Sequence, residues 1–211
     1  MVSGVAKTLY IHPDNPQSRL IEQAVTVIRA GGVIVYPTDS AYAIGCHLGD
    51  KSSLDRIRQI RQLDKNHNLT LVCRDLSELA VYAKVNNQVF RRLKANTPGP
   101  YTFILTATSV VPRRLMHPKR KTIGLRVPAN PIAQAMLAAI NEPLMSSTLI
   151  MPGDQYPLTD PQDIRDIVGG QVDLIIDGGF GGLEVTSVID LNGPSPVLIR
   201  QGMGDMTAFE L

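Results

Sequence analysis

The stretch Gly31-Gly32-Val33-Ile34-Val35-Tyr36-Pro37-Thr38-Asp39-Ser40-Ala41-Tyr42-Ala43-Ile44-Gly45 sets a short β-branched run between a glycine pair and a proline, then crowds Thr38, Asp39, Ser40 and Tyr42 just past its end. Val33 to Tyr36 is too short and too β-branched for a helix and reads as a buried strand. Upstream, Asn15-Pro16 has the form of an N-cap followed by proline in the first turn. Leu20, Ile21, Ala24, Val25 and Ile28 then recur at helical spacing until Gly31 supplies a stop. A helix feeding a buried strand whose end carries hydroxyls fits an open α/β sheet, where ligands gather beyond the carboxyl ends of strands. Taken alone, the same residues also fit an Asx or Ser/Thr turn that satisfies only its own amides.

Working outward, Ser52-Ser53-Leu54-Asp55 reads as a cap and Leu54 to Leu63 as a helix. Leu69 to Cys73 reads as a strand, Asp75-Leu76-Ser77-Glu78 as a capping box opening a helix to about Lys84, and Asn87 to Lys94 as another helix. Strands are predicted at Tyr101 to Ala107 and Ile123 to Val127, and Asn130-Pro131 starts an alanine-rich helix that ends before Pro143. Leu144 to Leu149 is a strand and Asp160-Pro161 opens a helix that stops at Gly169-Gly170. Val172 to Ile176, Thr186 to Leu191 and Val197 to Arg200 are closing strands with no helix between them. Such alternation of βαβ stretches with consecutive strands predicts an α/β fold with a twisted mixed β-sheet flanked by helices.

With 211 residues, 44% of them hydrophobic, the chain can bury a core as one domain over 1–211. The net charge of +2 excludes global polyelectrolyte behaviour and leaves only a local basic face. Cys46 and Cys73 lie in apolar stretches without a C-x-x-C, which predicts free buried thiols in a reducing compartment. No signal peptide or apolar run of membrane-spanning length is present, so a cytoplasmic location without a membrane partner is expected.

Two charge patterns stand out. Arg58, Arg61 and Lys65 fall at i, i+3 and i+7, which on a helix continued to Lys65 puts three cations on one face, able to hold phosphates or simply to be solvated. Residues 110–121, VVPRRLMHPKRK, carry Arg113, Arg114, Lys119, Arg120 and Lys121 with no acid. No aromatic is interleaved, so the readings are backbone contact to duplex or folded RNA, or a solubilising loop. His12, His47, His67 and His117 lack metal-ligand spacing, and neither a G-x-x-x-x-G-K-[ST] loop nor a G-x-S-x-G elbow occurs. Each histidine therefore reads as structural or surface.

In order along the chain, these motifs resemble the YrdC-like family of threonylcarbamoyl-AMP synthases, in particular its YciO branch. Residues 31–45 resemble the family's P-T-D-T-x-Y-G-L segment, Pro98-Gly99-Pro100-Tyr101-Thr102 its P-G-P-x-T, and Ile123-Gly124-Leu125-Arg126-Val127-Pro128 its V-R-x-P strand. Thr186-Ser187-Val188-Ile189-Asp190 is similar to S-T-V-x-D, and Ile199-Arg200-Gln201-Gly202 to the terminal I-R-x-G. The resemblance implies a YrdC-like fold with a concave basic cavity for ATP and RNA. It also implies ATP as substrate, with Mg and no tightly bound cofactor, and ATP or AMP, threonine, bicarbonate and tRNA or double-stranded RNA as partners. It assigns Thr38, Tyr42, Thr102, Thr148 and Ser187 to the small substrate and Arg61, Arg126 and Arg200 to the nucleotide, to which the charge stripe adds Arg58 and Lys65. Two departures bear on catalysis. The family's K-x-R is Arg61-Gln62-Leu63 here, and its S-x-N is Thr148-Leu149-Ile150. Weak or redirected synthase activity is the expectation these departures set, beside a non-catalytic protein that binds folded RNA.

Overall fold

The computed structural model describes residues 5–64, 67 and 69–209. Its strands are β1 (Lys7–Tyr10), β2 (Ile34–Tyr36), β3 (Ala43–His47), β4 (Thr70–Val72), β5 (Tyr101–Thr106), β6 (Thr122–Arg126), β7 (Leu144–Thr148), β8 (Leu174–Asp177), β9 (Ser187–Asp190) and β10 (Val197–Arg200). They form one mixed sheet in the order β1, β8, β2, β3, β7, β4, β6, β5, β9, β10. The helices are α1 (Ser18–Arg29), α2 (Lys51–Arg61), α3 (Leu76–Tyr82), α4 (Asn87–Asn96), α5 (Pro131–Ile140) and α6 (Pro161–Val168). The predicted mixed α/β architecture is the one observed.

The two faces of the sheet are covered unequally, and this difference creates the site. On one face Val35, Ile44, Leu71, Phe103, Leu125 and Ile189 pack under α2, α3, α4 and α6 into a continuous core. On the other, Ile34, Tyr36, Ala43, Leu144 and Ile176 pack under α1 and α5 only. Burying Ile21, Val25 and Ile28 from α1 contributes about 1.5–3 kcal/mol for each of these side chains. Beyond β4 that second face has no helix above it in the core packing of the described residues. Because side chains alternate along a strand, Thr102, Ile104, Gly124 and Arg126 point to this open half while Phe103, Leu105 and Leu125 feed the core.

Several local expectations are corrected. Asn15 does not cap α1: the helix begins at Ser18 after Gln17, and the Asn15 amide is spent on the His12 ring nitrogen. α2 begins at Lys51, three residues before the predicted Leu54, because the Asp50 carboxylate accepts from the Ser53 amide at 2.9 Å. It ends at Arg61, with Gln62 in the left-handed region at φ 49°. Strands β1 and β3 are additions to the predicted set. Both cysteines are free and buried, as expected, and burial pushes the Cys46 thiol up to about 12. Among the described residues no helix is long and apolar enough to cross a membrane.

Candidate functional site

The uncovered half of the sheet is a cavity of about 350 Å³, floored by β-strand side chains. Its floor is small and hydroxylated: Ala43, Thr70, Thr102, Gly124, Ser146 and Thr148. Arg126 stands on one wall, Arg200 and Ile199 on another, and His67 joins them from the segment after α2. No acidic side chain is among the described residues that line it.

The opening motif builds one wall from behind. Arg126 is 7% exposed and forms an ion pair with Asp39, and its Nη2 also donates to Ser40 Oγ at 3.1 Å and Thr38 Oγ1 at 3.3 Å. Thr38 Oγ1 in turn donates to the Ala41 carbonyl at 2.6 Å. The hydroxyls after β2 thus do two jobs: they close their own turn, and they hold the guanidinium that β6 presents. Asp39 Oδ2 and Arg126 Nε are both buried with no partner among the described residues. On the far side of this wall lies a second hollow of about 460 Å³, lined by Thr38, Asp39 and Phe180 among others.

Floor polar groups form ordered pairs. Tyr36 Oη donates to Ser146 Oγ at 2.9 Å, and Ser146 Oγ donates to the Ile44 carbonyl at 3.1 Å. Burial pushes the Tyr36 phenol up to about 12, so it stays a neutral donor and not a proton acceptor at neutral pH. Thr102 and Thr186 share a hydrogen bond at 2.9 Å, and Arg200 grips the Thr186 carbonyl through Nε at 3.2 Å and Nη2 at 2.9 Å. Arg58 and Arg61 stand outside the lining, one helical turn apart on α2, each with a buried Nε that has no partner among the described residues. They reach His67 electrostatically. His67 is held below its ordinary value by desolvation first, then by Arg61, Arg200 and Arg58, with Asp64 opposing.

The structure brings together Thr102, Thr148, Arg126 and Arg200 and leaves other expected residues out. Tyr42 is wholly buried in the helix-covered core, where its hydroxyl donates to the Gly179 carbonyl at 2.7 Å and accepts from the Gly178 amide at 3.2 Å. Ser187 is also wholly buried and serves the C-terminal turn, donating to the Gly204 carbonyl and accepting from the Gly202 amide. Thr38 faces the second hollow, not the cavity. Lys65 lies outside the described residues, and α2 stops before it. Sequence reasoning missed His67, Thr186, Ser146 and Tyr36 as lining groups. The signal for Thr186 was strand parity: Val188 lines the cavity and Ile189 the core, so Thr186 and Ser187 must divide the same way.

The basic segment lies elsewhere. It connects β5 to β6 at the Thr106 and Thr122 pair, the opposite end of the ladder from Phe103 and Leu125, beside which Arg126 sits. All five of its cations are exposed. Arg114 donates to the Gly49 carbonyl at 3.0 Å, Arg120 pairs with Asp190 at 3.3 Å, and Lys121 donates to the Pro118 carbonyl at 2.6 Å.

Comparison with known proteins agrees with this fold. Residues 26–202 match the Sua5, YciO and YrdC family model, described as "Telomere recombination". YciO of Escherichia coli is 57% identical over 205 residues, which is 97% of this chain and all of that protein. Its crystal structure superposes with a TM-score of 0.94. A threonylcarbamoyl-AMP synthase of Halorhodospira halophila is 29% identical over 165 residues, 78% of this chain and 85% of that one. The crystal structure of P. abyssi Sua5 complexed with L-threonine superposes with a TM-score of 0.85 at 26% identity, covering 93% of this chain and 58% of the Sua5 chain. With a matched segment that spans most of the sequence and a YciO structure that superposes over 97% of it, the chain belongs to the Sua5, YciO and YrdC family.

Proposed function

We propose that the cavity binds ATP and a small amino-acid-derived carboxylate and joins them as a mixed anhydride with AMP, in the manner of threonylcarbamoyl-AMP synthesis. The observation that carries this reading is a hydroxyl-floored cavity with no acid among its described lining residues and an arginine on each of two walls. In the reaction a carbamate oxygen of N-carboxylated threonine attacks the α-phosphorus. The bond from that phosphorus to the bridging oxygen breaks, and pyrophosphate departs with its electron pair. Arg126 and Arg200 supply fixed positive charge, while Thr102, Thr148 and Ser146 orient the reactants. Such a site works by positioning and charge neutralisation.

The altered motifs set the rate. Arg61 keeps a cation in the place of the motif's lysine, while Leu63, in the place of its arginine, packs against the core and delivers none. Thr148 keeps its hydroxyl in the cavity, while Ile150, in the place of the motif's asparagine, brings no amide. One missing electrostatic donor lowers the rate by about a hundred- to a thousandfold. Pyrophosphate release that requires both threonine and bicarbonate, slow on this scale, is the expected result. Release indifferent to both co-substrates, or none at all with ATP bound, would remove the synthase reading. Arg61→Ala is expected to weaken ATP binding by about 1.5–3 kcal/mol if it takes a charge-assisted hydrogen bond away, as read by calorimetry.

A second reading, binding of folded or double-stranded RNA, rests on the exposed cluster Arg113, Arg114, Lys119, Arg120 and Lys121. The side chains of Arg113 and Lys119 have no partner among the described residues, whereas Arg114 is tied to Gly49. The triple variant Arg113→Ala, Arg114→Ala, Lys119→Ala should lower affinity for all RNA sequences alike. Its log-log salt slope should flatten by about 0.9 for each phosphate it no longer neutralises, taking A-form RNA as similar to duplex DNA. An unchanged slope would make the segment a solubilising loop.

A further inference from the structure

Among the described residues His67 is the one histidine that lines the cavity, and most of the charge around it is arranged against its cationic form. Arg126 and Arg200 line the same cavity and Arg58 and Arg61 approach from α2; Arg126 is paired with Asp39 and Arg58 with Asp55 at 3.8 Å, and among the described residues the acid that acts on His67 itself is Asp64, which has an interaction of its own. Tyr36, the other titratable group of the lining, keeps its proton to about 12. The His67 backbone amide closes a turn on the Asp64 carbonyl at 3.1 Å, which presents the ring to the cavity with no hydrogen-bond partner among the described residues. Arg58 and Arg61 each hold an unfilled buried Nε on the α2 side. Desolvation is the first cause that keeps this imidazole neutral and the guanidinium groups are the second, and an anion that compensates the guanidinium groups removes the second.

Resting on the proposed ATP site, we propose that His67 is a proton-coupled anion ligand: neutral in the free protein, it takes up a proton as a polyphosphate seats among Arg61, Arg58 and Arg200, and becomes a further cation on the bound phosphates. The ligand class is a di- or triphosphate, because a single carboxylate at the Arg126 wall would leave Arg61 and the buried Nε atoms of Arg58 and Arg61 on α2 uncompensated, Arg58 having only Asp55 at 3.8 Å among the described residues. The sign follows from linkage. A group that binds its proton more tightly in the complex than in the free protein makes binding strongest at low pH, and affinity falls as pH rises through the complex value. The window opens below the ordinary 6.5, where the free protein holds the ring, and closes at the higher value that the ring takes in the complex. Within that window the loss is up to about tenfold per pH unit.

The test is calorimetry on the full chain, with ATP and separately with inorganic pyrophosphate, at one pH near neutrality in two non-phosphate buffers of different ionisation enthalpy. Titration of the ligand's own terminal phosphate, near about 6, cancels in the difference between wild type and His67→Ala. Wild type should take up more protons per bound ATP than His67→Ala, by up to about one. His67→Lys, which carries its charge permanently, should bind without that extra uptake and keep its affinity above neutrality. Equal uptake by wild type and His67→Ala, with both binding ATP, overturns the role of His67 and leaves the ATP site standing. Failure of the wild type to bind either ATP or pyrophosphate overturns the site itself, and the inference with it.

Discussion

Arg126→Ala should destabilise the protein by about 3–5 kcal/mol, because it strands a buried carboxylate. The Arg126 and Asp39 side chains are 8% and 14% exposed. Removing the guanidinium leaves Asp39 without its counter-ion and frees the hydroxyls of Thr38 and Ser40 from a shared donor. The wall between the two hollows would loosen together with the charge. Urea unfolding of Arg126→Ala gives the loss directly, and the paired variant Arg126→Met, Asp39→Asn should recover most of it, since replacing both members of a buried ion pair with neutral groups of similar size costs little. If the single and paired variants are equally unstable, the pair is not what holds the wall. Nucleotide binding measured without denaturant, well below the thermal transition, separates the two consequences: the paired variant should fold yet bind ATP poorly.

How far the site could be read from sequence depended on whether one residue or a whole strand carried the information. Arg126, Arg200, Thr102 and Thr148, which the motif resemblance assigns, all line the cavity because β6, β10, β5 and β7 turn these positions toward it. Tyr42 and Ser187 were misplaced because a motif names residues without stating which face of the sheet they take. Parity decides that face: Ala43 lines the cavity, so Tyr42 must face the core with Ile44, and Thr186 must take the position given to Ser187. Applying this rule needs the knowledge that β3 exists, and its Ala43-Ile44-Gly45-Cys46-His47 run has neither strong β-propensity nor a clear alternation of polar with apolar residues. It is a strand because β2 and β7 flank it on both sides. His67 was illegible for another reason. A lone histidine in a polar connector has no local signature, and its chemistry arises from arginines contributed by α2 and by the far edge of the sheet.

Gly124→Val should abolish ATP binding while leaving the fold in place. Gly124 lies on the cavity floor, paired with Thr70 on β4 and Ile104 on β5. A Cβ added there meets Thr102 Cγ2 and Thr70 Oγ1, both at 3.3 Å, tight contacts that a small shift of either side chain relieves. The two further methyl groups of valine have nowhere to go but into the cavity, where they take space from a ligand in a volume of only about 350 Å³. Strand geometry itself welcomes a β-branched residue, so the cost to folding should stay within about 1–3 kcal/mol, the usual range for overpacking. Affinity for ATP should fall by more than a hundredfold, about 3 kcal/mol at 1.4 kcal/mol per decade. Thermal unfolding and ATP titration on the same preparation decide the matter. A folded Gly124→Val protein that binds ATP as the wild type does would place the nucleotide somewhere other than the open half of the sheet, and would leave the second hollow, behind the Asp39 wall, as the site to examine next.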